Sequence, residues 1–365
     1  MRKALVESRL TTSVAAAILA LALSGALVGL AGPSPLDAYK SIWTGAIGNK
    51  MSLGITAVTT LPLLYAALAF AIPFRAGLFN IGVEGQLYMG ALASVVVALK
   101  VHAPTGVHLP LAVLAGAAAG SLWGLIPASL KVWRGVNEIV SSLFLNYIAI
   151  YVVDWLLAGP LEAPNLGVAQ TETIPTSAQF PALVSGTKIT SALILAAAVV
   201  FVVQLLLRTP FGFELRIMGA SKRVAQYVGI RVGRSTMISF AIGGALGGLA
   251  GTTEVLGNQF FLTQDFSPGW GYTGIAVAVL GGAGAWGIAL SAVFFGVIGA
   301  FAQQMELVYG LSADFALIVQ AIALILVLLG LQLRPRLSVR AAARAARLSD
   351  DVDGLEAPVA PESQI

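Results

Sequence analysis

Ten apolar runs, separated by short polar or glycine-rich segments, constrain the fold of this chain more than any other feature of its sequence. They cover residues 14–31, 52–73, about 82–99, 109–130, 138–158, 189–207, 236–256, 272–284, 287–303 and 315–331, and two of them are short or interrupted by glycine. A helix needs about 20 mostly apolar residues to cross the hydrocarbon core of a bilayer. Hydrophobic residues make up 58% of the chain and charged residues only 10%, whereas about a quarter of a soluble domain is charged. The sequence therefore predicts an all-α, polytopic membrane protein with about ten transmembrane helices.

The first apolar run follows Arg2, Lys3 and Arg9. A charged start before an apolar run is typical of a cleaved signal peptide and also of a retained first helix. We expect retention, because the run is nearly long enough to span a bilayer and many more spans follow.

Lysine and arginine residues test the topology, because they accumulate in cytoplasmic loops. With the N-terminus inside, ten spans place all but four of the 21 Lys and Arg residues in cytoplasmic segments. The four on the other side are Lys40, Lys50, Lys100 and Lys188. This asymmetry predicts that both termini are cytoplasmic, in a multi-pass protein of the cell (inner or plasma) membrane. It also accounts for the net charge of +4 without a nucleic-acid partner.

The spans predict one transmembrane domain, residues 1–335. The remainder, residues 336–365, is first basic and then acidic and contains proline. This composition predicts a disordered cytoplasmic tail.

Two parts of the chain repeat the same order of features. The long run 52–73 leads into FRAGLFNIGVEGQLYMGAL, the long run 236–256 leads into QDFSPGWGYTGIAVAVLGG, and two spans follow each. Because five spans separate the two long runs in order, the copies are expected to cross the membrane in opposite directions. Two inverted repeats, each with an interrupted helix, are typical of transporters, and the interruptions mark the translocation path.

Polar residues within the apolar runs are candidates for lining that path. Glu84 lies nine residues after Arg75, about 13 Å away at the rise of a helix. A charge at such depth costs about 2.5 kcal/mol or more in lipid, so Glu84 is expected to face the protein interior or a water-filled cavity. Its carboxylate is expected either to accept backbone N–H groups freed by Gly82 and Gly85 or to contact the substrate. The predicted path residues are Asn80, Glu84, Gln86, Asn146, Trp270, Tyr272 and Thr273.

The long charged segment 208–234, called the central loop below, lies between two long apolar runs. It carries Arg208, Arg216, Lys222, Arg223, Arg231 and Arg234 against one acid, Glu214, so we expect it on the cytoplasmic side. Apolar residues at intervals between Glu214 and Ile230 predict a short amphipathic helix on the membrane surface, divided at Gly219 and Gly229. Periodicity alone leaves open a solvated loop with lipid contacts.

Specific motifs then favour a docking segment. The pattern RxxGA at 216–220, followed by AxYxGI at 225–230, resembles the coupling loop of ABC-importer permeases of the simple-sugar and nucleoside class. FRxGxFNIGxEGQ at 74–86 is similar to the most distinctive motif of the nucleoside-type permeases, which pair with a basic-membrane-protein lipoprotein. GVNEIV at 135–140 and GIAVA at 274–278 resemble two further blocks of that family. The resemblance covers residues 52 to about 334. It implies that these residues contact the ATPase: Glu214, Arg216, Gly219, Ala220, Ala225, Tyr227, Gly229 and Ile230.

The resemblance implies the permease subunit of an ABC importer that forms the path for nucleosides or related simple sugars. Its expected partners are a second permease subunit, a cytoplasmic ATP-binding subunit, an exoplasmic substrate-binding lipoprotein and membrane lipid. The chain has no Walker A pattern, so we expect no enzyme activity, metal or cofactor of its own, with ATP used by the partner subunit.

Two other classes of protein share part of this pattern. An ion-coupled secondary transporter of a small polar solute also uses inverted repeats and a buried carboxylate, but it has no need of the segment 214–230. A membrane-embedded enzyme is disfavoured because no catalytic residues cluster in the sequence.

Overall fold

The computed structural model describes residues 45–164, 167–282 and 284–310, together with residues 40, 43, 318, 321, 322 and 325. The predicted first span, most of the predicted last span and the predicted tail lie outside the described residues. The elements below all belong to one compact unit, Leu36–Ala316.

Between Lys50 and Tyr309 the described residues form ten α-helices, one π-helix and one short 3₁₀ helix, and the described residues contain no β-strand. The helices are α1 (Lys50–Arg75), α2 (Val83–Lys100), α3 (His108–Arg134), α4 (Glu138–Leu157), α5 (Ala192–Leu206), α6 (Pro210–Ala220), α7 (Lys222–Tyr227), α8 (Val232–Glu254), α9 (Trp270–Gly281) and α10 (Ala285–Tyr309). The 3₁₀ helix is Thr176–Ala178, and the π-helix, Val255–Gln259, continues α8. The predicted all-α class is confirmed.

Six of the helices are long and apolar enough to cross a membrane, namely α1 to α4, α8 with its π-helical extension, and α10. A seventh span results if α5 and α6 count as one broken element, bent by 69°. Helix α9, in the predicted run 272–284, has only 12 residues, about 18 Å at helical rise. Since the hydrocarbon core is about 30 Å thick, α9 cannot cross it alone.

Local capping explains where two of the spans begin. The side chain of Asn49 accepts the N–H of Ser52 at 2.8 Å and starts α1, and Asn137 accepts the N–H of Ile139 at 2.9 Å at the start of α4. These bonds satisfy backbone donors that a helix leaves free in its first turn.

Helices α1 and α8 occupy the centre of the bundle, and glycines allow α8 to approach its neighbours closely. Gly120 and Gly124 of α3 lie against the backbone of Gly244 and Phe240 of α8. One residue further round α8, Gly243 faces the carbonyl of Ala69 in α1, where an added Cβ would lie 2.7 Å from the oxygen. Small residues at four-residue spacing are the usual means of close helix packing in membranes.

Contacts of several basic segments show at which end of the bundle they lie. Gly219 of the central loop lies against Arg75, and Gly233 lies against Val132 near the end of α3, so these segments share one end. At the other end, Lys188 lies against Gly54 near the start of α1. Its ammonium group donates to the side chain of Asn258 at 2.9 Å.

Candidate functional site

The junction between α1 and α2 holds a pair of buried amides. The Nδ2 of Asn80 donates to the Oε1 of Gln86 at 3.2 Å, and the Nε2 of Gln86 donates back to the Oδ1 of Asn80 at 3.1 Å. The same Asn80 oxygen accepts the N–H of Gly82 at 3.2 Å. Both side chains are fully buried, so the pair fixes the non-helical turn that leads into α2.

Asn146 joins this junction to α4 and α9. Its Oδ1 accepts the N–H of Gly85 at 2.8 Å, while its Nδ2 donates to the carbonyl of Ile81 at 2.9 Å and to the hydroxyl of Tyr272 at 3.1 Å. The exposed fraction of Asn146 is 0%. Three elements are therefore held by one side chain, and a Cβ on Gly85 would lie 3.0 Å from two atoms of Asn146.

Glu84 connects the two halves of the described chain. Its carboxylate, in a side chain that is only 2% exposed, accepts the N–H of Gly271 in the first turn of α9 at 2.6 Å. A negative charge at a helix N-terminus is stabilised by the helix dipole and by free N–H groups. The backbone bond comes from Gly271, 187 residues away, and not from Gly82 or Gly85, the donors expected from the sequence.

The bond between Glu84 and Gly271 lies near the middle of α1. Gly274, one turn further along α9, packs on Ala66, where an added Cβ would lie 2.7 Å from the alanine Cβ. Ala66 is close to the midpoint of α1, Lys50–Arg75. The N-termini of α2 and α9 thus meet deep within the bundle.

The three predicted path residues on α9 are more exposed than the other four. Tyr272 is 38% exposed, and Trp270 and Thr273 are half-buried. Asn80, Glu84, Gln86 and Asn146 instead lie behind them, buried and hydrogen-bonded. The predicted residues therefore form two layers, one packed and one partly open.

The central loop contains two helices, α6 and α7, and their division differs from the expected one. Gly219 lies within α6, and the break falls at Ser221, whose backbone is extended and whose hydroxyl accepts the N–H of Val224 at 3.3 Å. The second expected break, at Gly229, is present, with φ of +84°. Ser221 divides the helices because its side chain caps α7.

Gly219 provides a close contact between α6 and the end of α1. A Cβ on Gly219 would collide with the carbonyl oxygen of Arg75 and lie 3.4 Å from the N of Gly77. Gly77 has φ of +70°, a conformation that favours glycine. The end of α6 thus rests on the turn that leads to Asn80.

Other residues of the central loop are either anchored or exposed. Ser235 of α8 donates to the carboxylate of Glu214 at 2.9 Å, and the Arg216 guanidinium lies 5.8 Å from the centre of the Phe213 ring, which allows a cation–π contact. Ala225 is buried, whereas Tyr227 is 93% exposed. Ala220 and Gly229 are exposed and Ile230 is half-buried.

The sequence argument missed two polar groups at the far end of α8 and before α9. The hydroxyl of Ser267 accepts the N–H groups of Gly269 and Trp270 at 3.2 and 3.3 Å, and a serine shortly before an apolar helix is a recognisable capping signal. Glu254 is buried and accepts from Asn258 at 2.6 Å across the π-helix. Among the described residues, no group of three or more His, Asp or Glu side chains could hold a metal ion.

Comparison with known proteins identifies relatives over most of the chain. Residues 52–328 match the family described as branched-chain amino acid transport system / permease component. The guanosine ABC transporter permease protein NupP of Bacillus subtilis is 34% identical over 324 residues, which are 88% of this chain and 93% of that protein. The glucose ABC transporter permease protein TsgB13 of Haloferax volcanii is 33% identical over 86% of each chain. The nucleoside ABC transporter permease protein NupB of Lactococcus lactis is 33% identical over 76% of this chain and 79% of its own. No solved structure matches at a comparable level.

Proposed function

The chain belongs to the branched-chain amino acid transport system / permease component family, and on that premise we propose that it forms the membrane passage of an ABC importer for nucleosides. The observation that carries the substrate class is the similarity to guanosine and nucleoside permeases across at least three quarters of this chain. The glucose permease, with 33% identity, favours a simple sugar as the second candidate.

We propose that the substrate path runs past the open face of α9. Trp270, Tyr272 and Thr273 have side chains that are partly accessible, and aromatic rings can stack on a nucleobase. The buried layer behind that face holds α2 and α9 in fixed positions; it consists of Asn80, Glu84, Gln86 and Asn146. Its satisfied hydrogen bonds support this division of roles.

The central loop is proposed to dock on a separate ATP-binding subunit. Its contact with Arg75 and Gly77 supports a direct mechanical route, because that turn continues to Asn80 and then to Glu84, which bonds Gly271. Movement of α6 would thereby reach α9 through backbone contacts and short polar bonds. A second permease subunit and an exoplasmic binding lipoprotein complete the proposed importer.

The sidedness and the internal symmetry belong to the same proposal. The end of the bundle that carries Arg75 and the central loop is assigned to the cytoplasm, with both termini on that side, because basic residues accumulate there. In support of inverted repeats, a long helix precedes each of the two breaks, and α2 and α9 begin where their N-termini meet.

Uptake of labelled guanosine tests the substrate class. The chain would be co-reconstituted with its partner subunits in vesicles, and unlabelled uridine or glucose would be added as competitor. We expect uridine to compete and glucose to have no effect. Competition by glucose but not by uridine would favour sugars, and no uptake of labelled guanosine would contradict the proposal.

A further inference from the structure

A cleft opens at the basic end of the bundle, between the bend that joins α5 to α6 and the first turns of α8. Its volume is about 590 Å³. Leu206 and Phe211 form one wall, and Arg231, Arg234, Ile238 and Ile242 contribute to the other. The 69° bend between α5 and α6 lies within the first wall, between Leu206 and Phe211.

The α8 wall changes from basic to apolar along one face of the helix. Arg234, Ile238 and Ile242 follow at four-residue spacing, so their side chains share a face. Ile242 lies about 12 Å further along the helix axis than Arg234. Both isoleucines belong to the apolar run 236–256, so the cleft runs from the membrane surface into the hydrocarbon region.

The mouth of the cleft favours an anion. Arg231 and Arg234 are exposed, and the structure gives their guanidinium groups no ion pair within the described residues. The one acid in the lining, Glu214, accepts a hydrogen bond from Ser235. Helix α8 begins at this point with no side-chain cap on its first turn, so its positive end adds to the two arginines.

We propose that this cleft binds one anionic phospholipid, with the phosphate of its headgroup between Arg231 and Arg234 and an acyl chain along Ile238 and Ile242. Arginine is well suited to phosphate because its planar fork donates several hydrogen bonds at once. A soluble protein partner has no access to the isoleucines below the membrane surface, whereas an acyl chain reaches them directly. Basic pockets between spans on the cytoplasmic side are suited to such headgroups.

Native mass spectrometry of the full-length chain tests the proposal. The purified protein is mixed with phosphatidylglycerol and phosphatidylcholine of identical acyl chains, and the lipid retained by each chain is counted. We expect preferential retention of phosphatidylglycerol and its loss in R231Q/R234Q by about 25-fold, since each basic side chain near an anionic surface contributes about fivefold in binding. The matched variant K222Q/R223Q, which removes two charges outside the cleft lining, should retain the lipid.

Additional variants and conditions distinguish a lipid site from a structural defect, a free-anion site and a subunit interface. R231K/R234K keeps the charges and should retain most of the lipid; equal loss in the Lys and Gln variants would indicate a structural defect and overturn the assignment. Displacement of the lipid by inorganic phosphate would make this a free-anion site and overturn the acyl-chain contact. Loss of the lipid when the chain is purified with its partner subunits would make the cleft a subunit interface. Unchanged retention in R231Q/R234Q would also refute the proposal, and none of these outcomes depends on which solute is transported.

Discussion

Two buried polar side chains, those of Glu84 and Asn146, bond backbone groups of other elements. Glu84 accepts from Gly271, and Asn146 bonds Gly85 and Ile81. A buried hydrogen bond contributes little net stability, but an abandoned partner costs the full desolvation of the group. Replacement of Glu84 or Asn146 should therefore weaken the packing between helices rather than remove a contact with the substrate.

Glu84 offers a graded test of this principle. Glu84→Ala leaves the N–H of Gly271 without an acceptor and should destabilise the protein by about 1–3 kcal/mol. Glu84→Gln keeps an oxygen acceptor and loses only the charge at the helix N-terminus, a contribution of about 0.3–1 kcal/mol. Thermal unfolding in detergent should rank wild type above Gln and Gln above Ala, and equal values for Gln and Ala would contradict the role of the bond.

Gly219 tests the contact between the central loop and α1. In Gly219→Ala the new methyl group collides with the carbonyl of Arg75, so we expect ATP-driven uptake to fall while insertion into the membrane is retained. Gly159→Ala is the matched control, because a Cβ there lies 3.5 Å from its nearest neighbour, an ordinary contact. Normal uptake in Gly219→Ala would remove this contact from the coupling route.

The sequence identified these residues but not all of their partners. An intramembrane carboxylate at Glu84 is visible from its place in an apolar run, and the energetic cost of its charge predicts burial. Its partner Gly271 lies 187 residues away, and no local spacing rule relates the two. The sequence predicts a helix break at Gly219. In the structure Gly219 lies within α6, and the absence of a side chain allows α6 to pack closely on Arg75.

At the scale of helices, α8 depends on glycine for its central position. A Cβ on Gly248 would collide with the carbonyl oxygen of Gly116 and lie 3.1 Å from the Cα of Gly120, both in α3, and backbone atoms cannot move aside as a flexible side chain can. Gly248→Ala should therefore lower stability by about 1–3 kcal/mol through overpacking. Gly233→Ala is the control in the same helix, since its Cβ would meet only a methyl group of Val132 at 3.1 Å. Thermal unfolding should distinguish the two variants, and equal shifts would argue against the packing role.

Helix α9 allows a test of which face meets water. The chain contains no cysteine, so single cysteines can be introduced without background. Tyr272→Cys should react with a water-soluble thiol reagent, because that position is 38% exposed and is proposed to line the path. Val277→Cys, on the same helix at 0% exposure, should be protected. Protection at both positions would place the open face of α9 against lipid or protein.

Apolar length and periodicity predicted the helices of the described region well, including all of the long spans. They counted the short run 272–284 among the spans, whereas the structure shows the 12-residue helix α9, which ends before the turn at Gly282, where φ is +69°. They also gave no sign of the π-helix Val255–Gln259, which lies where the apolar run 236–256 ends. Turn geometry and helix type depend on tertiary contacts that composition does not encode.

At the scale of the whole molecule, transport needs a source of energy, and an ABC importer and a secondary transporter differ in that source. A secondary transporter needs a buried acid that binds or releases a coupling ion, so its uptake collapses when the proton or sodium gradient is dissipated. In this protein the carboxylates of Glu84 and Glu254 already accept hydrogen bonds from protein N–H donors, which favours a structural role.

We therefore expect uptake by the reconstituted importer, with ATP on the side of the central loop, to survive ionophores and to stop without nucleotide. The Gly219→Ala variant should fail under the same conditions, whereas Gly159→Ala should behave as wild type. Uptake that persists without ATP and follows an ion gradient would replace the ABC mechanism with ion coupling, and the central loop would then need another role.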